Sequence, residues 1–349
     1  MVPGILYDPL VLEHETGRHP ENRGRLTAIV ALLQRRGLWE RLEHVEVAPA
    51  SIESLESVHD SGYLRALRDA AEAGGGFLTA DTPFSRRSWD AVVAASGAAI
   101  GAVDAVLDGL VPSAFALIRP PGHHAGSRSG MGFCLVNHAA VAARHCVLHR
   151  GLERVLLVDY DVHHGNGTQE IFYEDPAVLY FSTHQYPAYP GTGPAREIGS
   201  GAGLGTTVNV PLPAGVADAG YRLALEEVLV PIAEEYRPDL ILVSAGFDAH
   251  WRNTAYLNSI RMGVTVSGFG EWARLLQGLA DRLCGGRLAF VLEGGYDPEA
   301  LAWSVDATFR SLLGEPVEDP LGPAPNLAEP AIDDLIEEYR RIHGLSGHL

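Results

Sequence analysis

Short apolar runs rich in β-branched residues recur along the chain at Gly4–Tyr7, Val45–Val47, Ala114–Ile118, Val155–Asp159, Val178–Ser182, Thr207–Val210, Leu240–Ser244 and Leu288–Leu292. Several are continuous apolar blocks without polar alternation, the pattern of strands covered on both faces. Between them, helical periodicity runs through Asn22–Arg36, Tyr63–Ala73, Arg87–Leu107, His138–Arg150, Asp218–Tyr236, Phe269–Leu283 and Pro298–Leu313. Alternation of this kind predicts an α/β fold: a mostly parallel eight-stranded sheet with helices on both faces, in three α/β/α layers. No internal repeat is present, which argues against a solenoid.

After Gly314 the pattern changes. The stretch EPVEDPLGPAPNLAEPA is rich in proline and gives way to IDDLIEEYRRIHGL, which reads as an amphipathic helix. We expect one domain over 1–314, and over 315–349 a Pro-rich connector with a C-terminal helix packed on that domain or on a neighbouring subunit. The second arrangement leaves room for a homo-oligomer.

Composition narrows the function classes. A chain of 349 residues is within reach of a single large α/β domain, and 46% hydrophobic with 20% charged residues is enough for a sizeable core. The formal charge of −18 argues against direct nucleic-acid binding and favours a cationic target. Three cysteines, Cys134, Cys146 and Cys284, form no CxxC pair and fit a reducing compartment. The N-terminus lacks a signal-peptide pattern, and no uninterrupted apolar run of ~18 residues occurs. The expectation is a soluble, cytoplasmic protein with no membrane partner.

Four strand ends carry candidate chemistry. In DVHHGNGTQ, Asp161–Gln169, a carboxylate and an imidazole two residues apart follow a buried strand, and period 2 lets Asp159, Asp161 and His163 project the same way. Such a pair suits a divalent cation at the place where open α/β sheets keep their active sites. In RPPGHHAG, Arg119–Gly126, His123 and His124 follow a sharp turn. Unlike surroundings would hold one neutral and one charged, as a base and an electrostatic partner require. The glycine-rich GMGFCLVNH after it offers the Gly132 carbonyl and a Phe133 wall to a ligand. In SAGFDAHW, Asp248 is the natural third ligand, leaving a position open for water; His250 reads as a rim residue. That ligand set leans toward zinc, although spacing also allows iron, cobalt or manganese. In EGGYD, Tyr296 could donate to a developing oxyanion.

Taken together, these motifs resemble the histone deacetylase superfamily, which also holds acetylpolyamine amidohydrolases and acetoin-utilisation proteins. The resemblance runs from about Tyr7 to Phe309, through HPENRGRL, DTP at Asp81–Pro83, RPPGHHAG, GMGFCLVNH, VDYDVHHGNGTQ, YFSTHQ, YPGTG, SAGFDAHW and LEGGY. Asn166, where class I members carry an aspartate, puts the class II enzymes nearer. The resemblance implies the arginase-deacetylase fold with one zinc ion held by Asp161, His163 and Asp248. It implies His124 as general base and acid, oriented by Asn166, and His123 as electrostatic partner, oriented by Asp159. Tyr296 would stabilise the tetrahedral intermediate, Gly132 would accept the amide N–H, and Phe133 and Tyr189 would flank the alkyl chain. It also implies structural K+ or Na+ sites, one using Asp159, Asp161, His163, Ser182 and Thr183, the other Phe172, Asp175, Val178 and Tyr221.

The resemblance has departures. RNTAYLNSIRMGV, Arg252–Val264, replaces the Asp-Pro-Leu common after the third ligand, and no glutamate gatekeeper for polyamines is evident there. Asp81 matches a position that in some relatives grips a peptide backbone. The expected activity is zinc-dependent hydrolysis of an N-acetylated amine, with acetyl-lysine in proteins or peptides ahead of acetylpolyamines. Two other readings are weaker. A dinuclear manganese ureohydrolase would need a carboxylate where Gly165 stands, and a non-catalytic acyl-amide binder would not need Tyr296 and both histidines.

Overall fold

Ten strands form in the computed structural model of the chain, which describes residues 1–257 and 259–345. They are β1 (Gly4–Leu6), β2 (Glu43–His44), β3 (Gly75–Phe77), β4 (Pro83–Ser85), β5 (Ser113–Ala116), β6 (Val155–Asp159), β7 (Val178–Gln185), β8 (Thr207–Leu212), β9 (Leu240–Ala245) and β10 (Leu288–Leu292). Eight of them make one sheet in the order β2-β1-β5-β10-β9-β6-β7-β8, parallel at every pairing. Every residue of β5, β6, β7, β9 and β10 is buried, so these strands carry apolar runs without polar alternation until their C-terminal ends, where β6 and β7 turn polar.

The helices are α1 (Gly24–Arg35), α2 (Ile52–Glu56), α3 (Ser61–Glu72), α4 (Ser88–Leu107), α5 (His138–Leu148), α6 (Asn166–Phe172), α7 (Asp218–Ala224), α8 (Val230–Tyr236), α9 (Val266–Leu283), α10 (Pro298–Leu312) and α11 (Asp333–Ile342). Local chemistry starts several of them. Asn137 accepts from Ala140 N at the head of α5, Thr265 from Gly268 N at α9, and Asp297 from Glu299 N and Ala300 N at α10, where Pro298 follows. By length and composition α4 could cross a membrane, but most of it is buried in the core of this domain.

The structure departs from the periodicity in four places. β2 forms at Glu43–His44 rather than Val45–Val47, because this exposed edge pairs on one side only and apolar content does not fix its register. The hairpin of β3 and β4 is too short to show alternation. The helix expected over Asp218–Tyr236 is split by a π turn at Leu225–Leu229, just ahead of Pro231, which has no N–H to continue a regular ladder. The seven-residue α6 begins at Asn166, inside DVHHGNGTQ, where the glycines mask helical periodicity.

Beyond Gly314 the chain runs over the domain surface into α11, which buries Ile336 and Tyr339 against the π turn and β8. Residues 346–349 of the expected connector-and-helix segment, and Asn258 of the segment after the third ligand, lie outside the described residues.

Candidate active site

Strand order assembles the site. β5, β10, β9 and β6 are consecutive neighbours in the sheet, so the loops after them deliver His123 and His124, Tyr296, Asp248, and Asp161 with His163 to one edge. Parallel strands place all four loops at the same end, where ligands bind in open α/β folds.

Asp161, His163 and Asp248 are buried, with ligand atoms within 4.8 Å of one another. His163 Nδ1 lies 3.1 Å from Asp161 Oδ1 and 3.1 Å from Asp248 Oδ2. The remaining carboxylate oxygens are held by backbone: Gly294 N donates to Asp161 Oδ2 at 2.9 Å and Val162 N to Asp248 Oδ1 at 2.9 Å. Asp248 Oδ2 is buried without a hydrogen-bond partner, an arrangement that costs free energy unless a cation meets it. A Cβ on Gly294 would stand 2.5 Å from both Asp161 Oδ2 and Asp248 Oδ2, so the turn leaves this cradle clear. Burial alone would lower the His163 imidazole, but the two carboxylates outweigh it and raise it to about 9. The trio therefore demands positive charge at its centre, and its two oxygens and one nitrogen fit a zinc ion.

The histidine pair is split by its neighbours. His123 Nδ1 lies 3.0 Å from Asp159 Oδ2, and despite burial the charges of Asp159 and Asp161 raise it to about 10, which favours its imidazolium form. His124 Nδ1 lies 2.8 Å from Asn166 Oδ1; burial, then the charges of His123 and His163, lower it well below the ordinary histidine value. With Asn166 accepting from Nδ1–H, His124 keeps a neutral ring and a free Nε2. One group is ready to take a proton while its neighbour stays charged.

A cavity of about 230 Å3 opens above this floor, with His124, Gly132, Phe133, His163, Tyr189 and Tyr296 among its lining. Phe133 takes a left-handed backbone (φ 71°), uncommon for a bulky residue. Thr82 Oγ1 accepts its N–H at 3.1 Å, and its ring meets Tyr296 edge-on at 5.5 Å. Tyr189 stands edge-on to His124 at 5.2 Å. Burial, with the Asp248 charge, raises the Tyr296 phenol well above its ordinary value, so it remains an O–H donor. Asp81, at the mouth, accepts from Thr79 and Thr82 hydroxyls through Oδ1.

The structure sets Asp159 beside Ser182 in register, with Thr183 next in β7, for the first monovalent-cation set. It corrects the second. Val178 begins β7, and Phe172 and Asp175 lie in the approach to it, beside Gly203. Tyr221 sits in α7, entered from the opposite end of the sheet, and its ring stacks on Trp272 at 4.6 Å. A strand length separates Tyr221 from the other three, so it does not belong to that set. His250, expected at the rim, is buried and accepts from Arg252 N.

Sequence reading missed the buried charges behind the site. Glu21 receives Arg119 Nε and Nη2 at 2.7 and 2.8 Å and Arg25 Nη1 at 3.2 Å. Arg25 also donates to Gly295 O at 2.6 Å and to Glu293 O, clamping the loop that carries Tyr296. Glu293 accepts from Gly122 N, His123 N and Ser244 Oγ, fixing the histidine loop. A signal existed: Arg119 directly follows the apolar run Ala114–Ile118 and Arg25 lies on the apolar face of α1, positions where a charge needs a partner. Glu293 and His123 form a second close trio with Cys134, but their polar atoms are already engaged.

Gly165 permits no side chain. A Cβ there would fall 2.3 Å from Asp159 Oδ2 and 2.5 Å from the Tyr180 hydroxyl, which itself donates to Asp159 at 3.0 Å. No carboxylate for a second ion can stand at this position.

Comparison with known proteins agrees with this architecture. Residues 19–312 match the model of the histone deacetylase domain. The chain is 40% identical to histone deacetylase 10, chloroplastic, of Oryza sativa subsp. japonica, over 95% of this chain and 79% of that protein. It is 39% identical to a probable deacetylase of Archaeoglobus fulgidus over 98% of both chains, and 40% identical to the human polyamine deacetylase HDAC10 over 87% of this chain and 46% of that protein. The crystal structure of the HDA15 HD domain superposes with a TM-score of 0.87 at 36% identity, covering 98% of this chain and 95% of that one. Its parallel eight-stranded sheet, strand-end site and matched domain together make the chain a member of the histone deacetylase family, with the arginase-deacetylase fold.

Proposed function

We propose that the protein is a zinc-dependent deacetylase that hydrolyses the acetyl amide of acetyl-lysine side chains in proteins or peptides and releases acetate. The observation that carries this reading is the convergence on one narrow cavity of a cation-demanding trio, a neutral histidine beside a charged one, and a buried phenol.

A zinc ion held by Asp161, His163 and Asp248 would supply Lewis acidity toward the amide carbonyl and the attacking water. His124 Nε2 takes the proton of that water and returns it to the leaving amine. His123, held charged by Asp159, stabilises the negative charge that develops nearby. The Tyr296 hydroxyl donates to the carbonyl oxygen as it gains charge. The Gly132 carbonyl accepts the substrate N–H, and the Phe133 and Tyr189 rings flank the methylene stem. A monovalent cation beside Asp159, Ser182 and Thr183 would further fix the metal loop.

The lining favours lysine over polyamine. Relatives of both kinds occur, one being named a polyamine deacetylase. A polyamine carries a second cationic nitrogen into the channel and needs an acid inside it. Among the described residues lining the cavity, Asp81 is the carboxylate outside the metal-site floor, and it sits at the mouth, where a peptide N–H would reach it. Leu257 and Ser259, both uncharged, also line the cavity.

Acetate release by the purified, zinc-loaded protein tests the proposal. The expected kcat/KM is at least about tenfold higher for an acetyl-lysine peptide than for acetylated polyamines. The reverse preference overturns the substrate assignment, and no turnover of any acetyl amide overturns the activity.

A further inference from the structure

The connector and terminal helix lie outside the region matched by the family model, which ends at residue 312. They nevertheless touch the segment after the third ligand, whose Tyr256, Leu257 and Ser259 line the cavity. The Trp251 indole Nε1–H donates to Gly322 O at 2.9 Å, and Ser267 N donates to Asp319 at 3.1 Å. Leu327 Cδ2 occupies the space beside Gly263, 2.1 Å from where a Cβ would be. Glu329 Oε1 accepts from Ala217 N at 2.8 Å and Gly220 N at 2.7 Å. The turn it holds is bonded in its turn to the same segment, through Gly215 N to Arg261 O at 2.6 Å and Gly263 N to Val216 O at 2.8 Å. Beyond it, α11 is anchored by the Tyr339 hydroxyl on Pro211 O and by Arg340 on Glu227.

From the cavity side, Gln185 of β7 donates to Ser259 O at 2.9 Å and accepts from Arg261 N at 2.7 Å, and at the head of the segment Asn253 Oδ1 accepts from Tyr296 N at 2.7 Å and Asp297 N at 3.0 Å. The rim is thus caught between Gln185 in front and the connector behind. Its ends are fixed by the buried Asn253, Ile260, Met262 and Val264, while Tyr256 between them is 42% exposed.

We propose that residues 315–345 form a strap that positions this rim, and that the rim so held selects for the peptide chain flanking the acetylated lysine. The proposal rests on reading the cavity as an acetyl-lysine channel. Trp251, Leu327 and Glu329 are positioning residues: they reach the substrate only through the segment they hold. A short acetylated alkylamine fills the channel without reaching the rim, whereas a peptide rests on it.

Full-length, zinc-loaded protein carrying Trp251→Phe, Leu327→Ala or Glu329→Ala tests this, with Glu329→Gln as the conservative control that retains the accepting oxygen. Amide hydrogen exchange across 252–264 is expected to quicken about tenfold in the three variants, while exchange in β6 and β9 stays unchanged. KM for an acetyl-lysine peptide rises about fivefold with kcat within about twofold, and kcat/KM for a short N-acetyl alkylamine is unchanged. Glu329→Gln behaves as the parent protein. Unchanged exchange at the rim overturns the strap, and equal losses of kcat on both substrates reduce it to general support. If the parent protein releases acetate from neither substrate, the channel reading fails, and the exchange experiment still decides whether the strap holds the rim.

Discussion

At the floor of the cavity, Asp159, Asp161 and Asp248 are fully buried and receive backbone N–H groups from the loops after β6 and β10. At the rim, Tyr256 is 42% exposed, and the segment around it exchanges hydrogen bonds with Gln185, Gly215 and Val216 rather than burying charge. The floor concentrates charge where water is absent, so each oxygen must be met and little substitution is tolerated. The rim is solvated, so its losses are partly replaced by water. The same molecule therefore keeps its chemistry in a rigid, over-determined region and leaves selection to a forgiving one.

Removing a floor ligand should have the largest effect. Asp248→Ala is expected to reduce kcat/KM by ~10^3-fold or more and to drop bound zinc from one per chain toward zero, read by elemental analysis alongside turnover. Full metal content with parent activity would break the assignment of the trio.

The charges behind the floor come next. Burial alone would raise the Glu21 carboxyl, but Arg119 and Arg25 outweigh it and hold it at about 2. A carboxyl depressed in the folded state stabilises above its unfolded value, near 4.5, and loses that contribution as pH falls toward 2. Glu21→Gln should therefore cost about 3–5 kcal/mol at neutral pH by leaving two guanidinium groups underpaired. The deficit in thermal melts should shrink between pH 4.5 and 2; a pH-independent deficit would contradict the ion-pair account.

Tyr296→Phe keeps the ring and removes the donor. It is expected to lower kcat about 10^2- to 10^3-fold with KM nearly unchanged, because the hydrogen bond strengthens only as the oxygen gains charge. The pH profile sharpens the same region. His124 is depressed, so its basic form persists as pH falls through 6.5, and the acid limb assigned to it should lie well below that value.

Asp81→Asn, at the mouth, should show the smallest change: a few-fold rise in KM for a peptide substrate, kcat retained, and no effect on a short acetamide. A loss as large as that of Tyr296→Phe would erase the distinction between floor and rim.

Most of the fold and floor could be read along the chain. Val155–Asp159 and Leu288–Leu292 form as strands over the bounds their apolar runs suggest, and the residues ending them carry the chemistry. What escaped was non-local. The hairpin of β3 and β4 has no periodicity to read, yet its end presents Asp81 and Thr82. Tyr221 was grouped with Phe172, Asp175 and Val178, yet it stands at the opposite end of the sheet. Glu21, Arg25, Arg119 and Glu293 carry no local pattern that pairs them, and only the closed fold buries them together.

By itself the sequence determined which residue types end which strands, because periodicity and burial are local properties of a parallel sheet. Tertiary structure decided that four of those ends stand side by side, that Asp161, His163 and Asp248 face one centre, that one histidine is shifted up and its neighbour down, and that the strap reaches the rim. Each of these depends on the distance between groups far apart in the chain, and in a low-dielectric interior those distances set the charge and the partner of every buried polar atom.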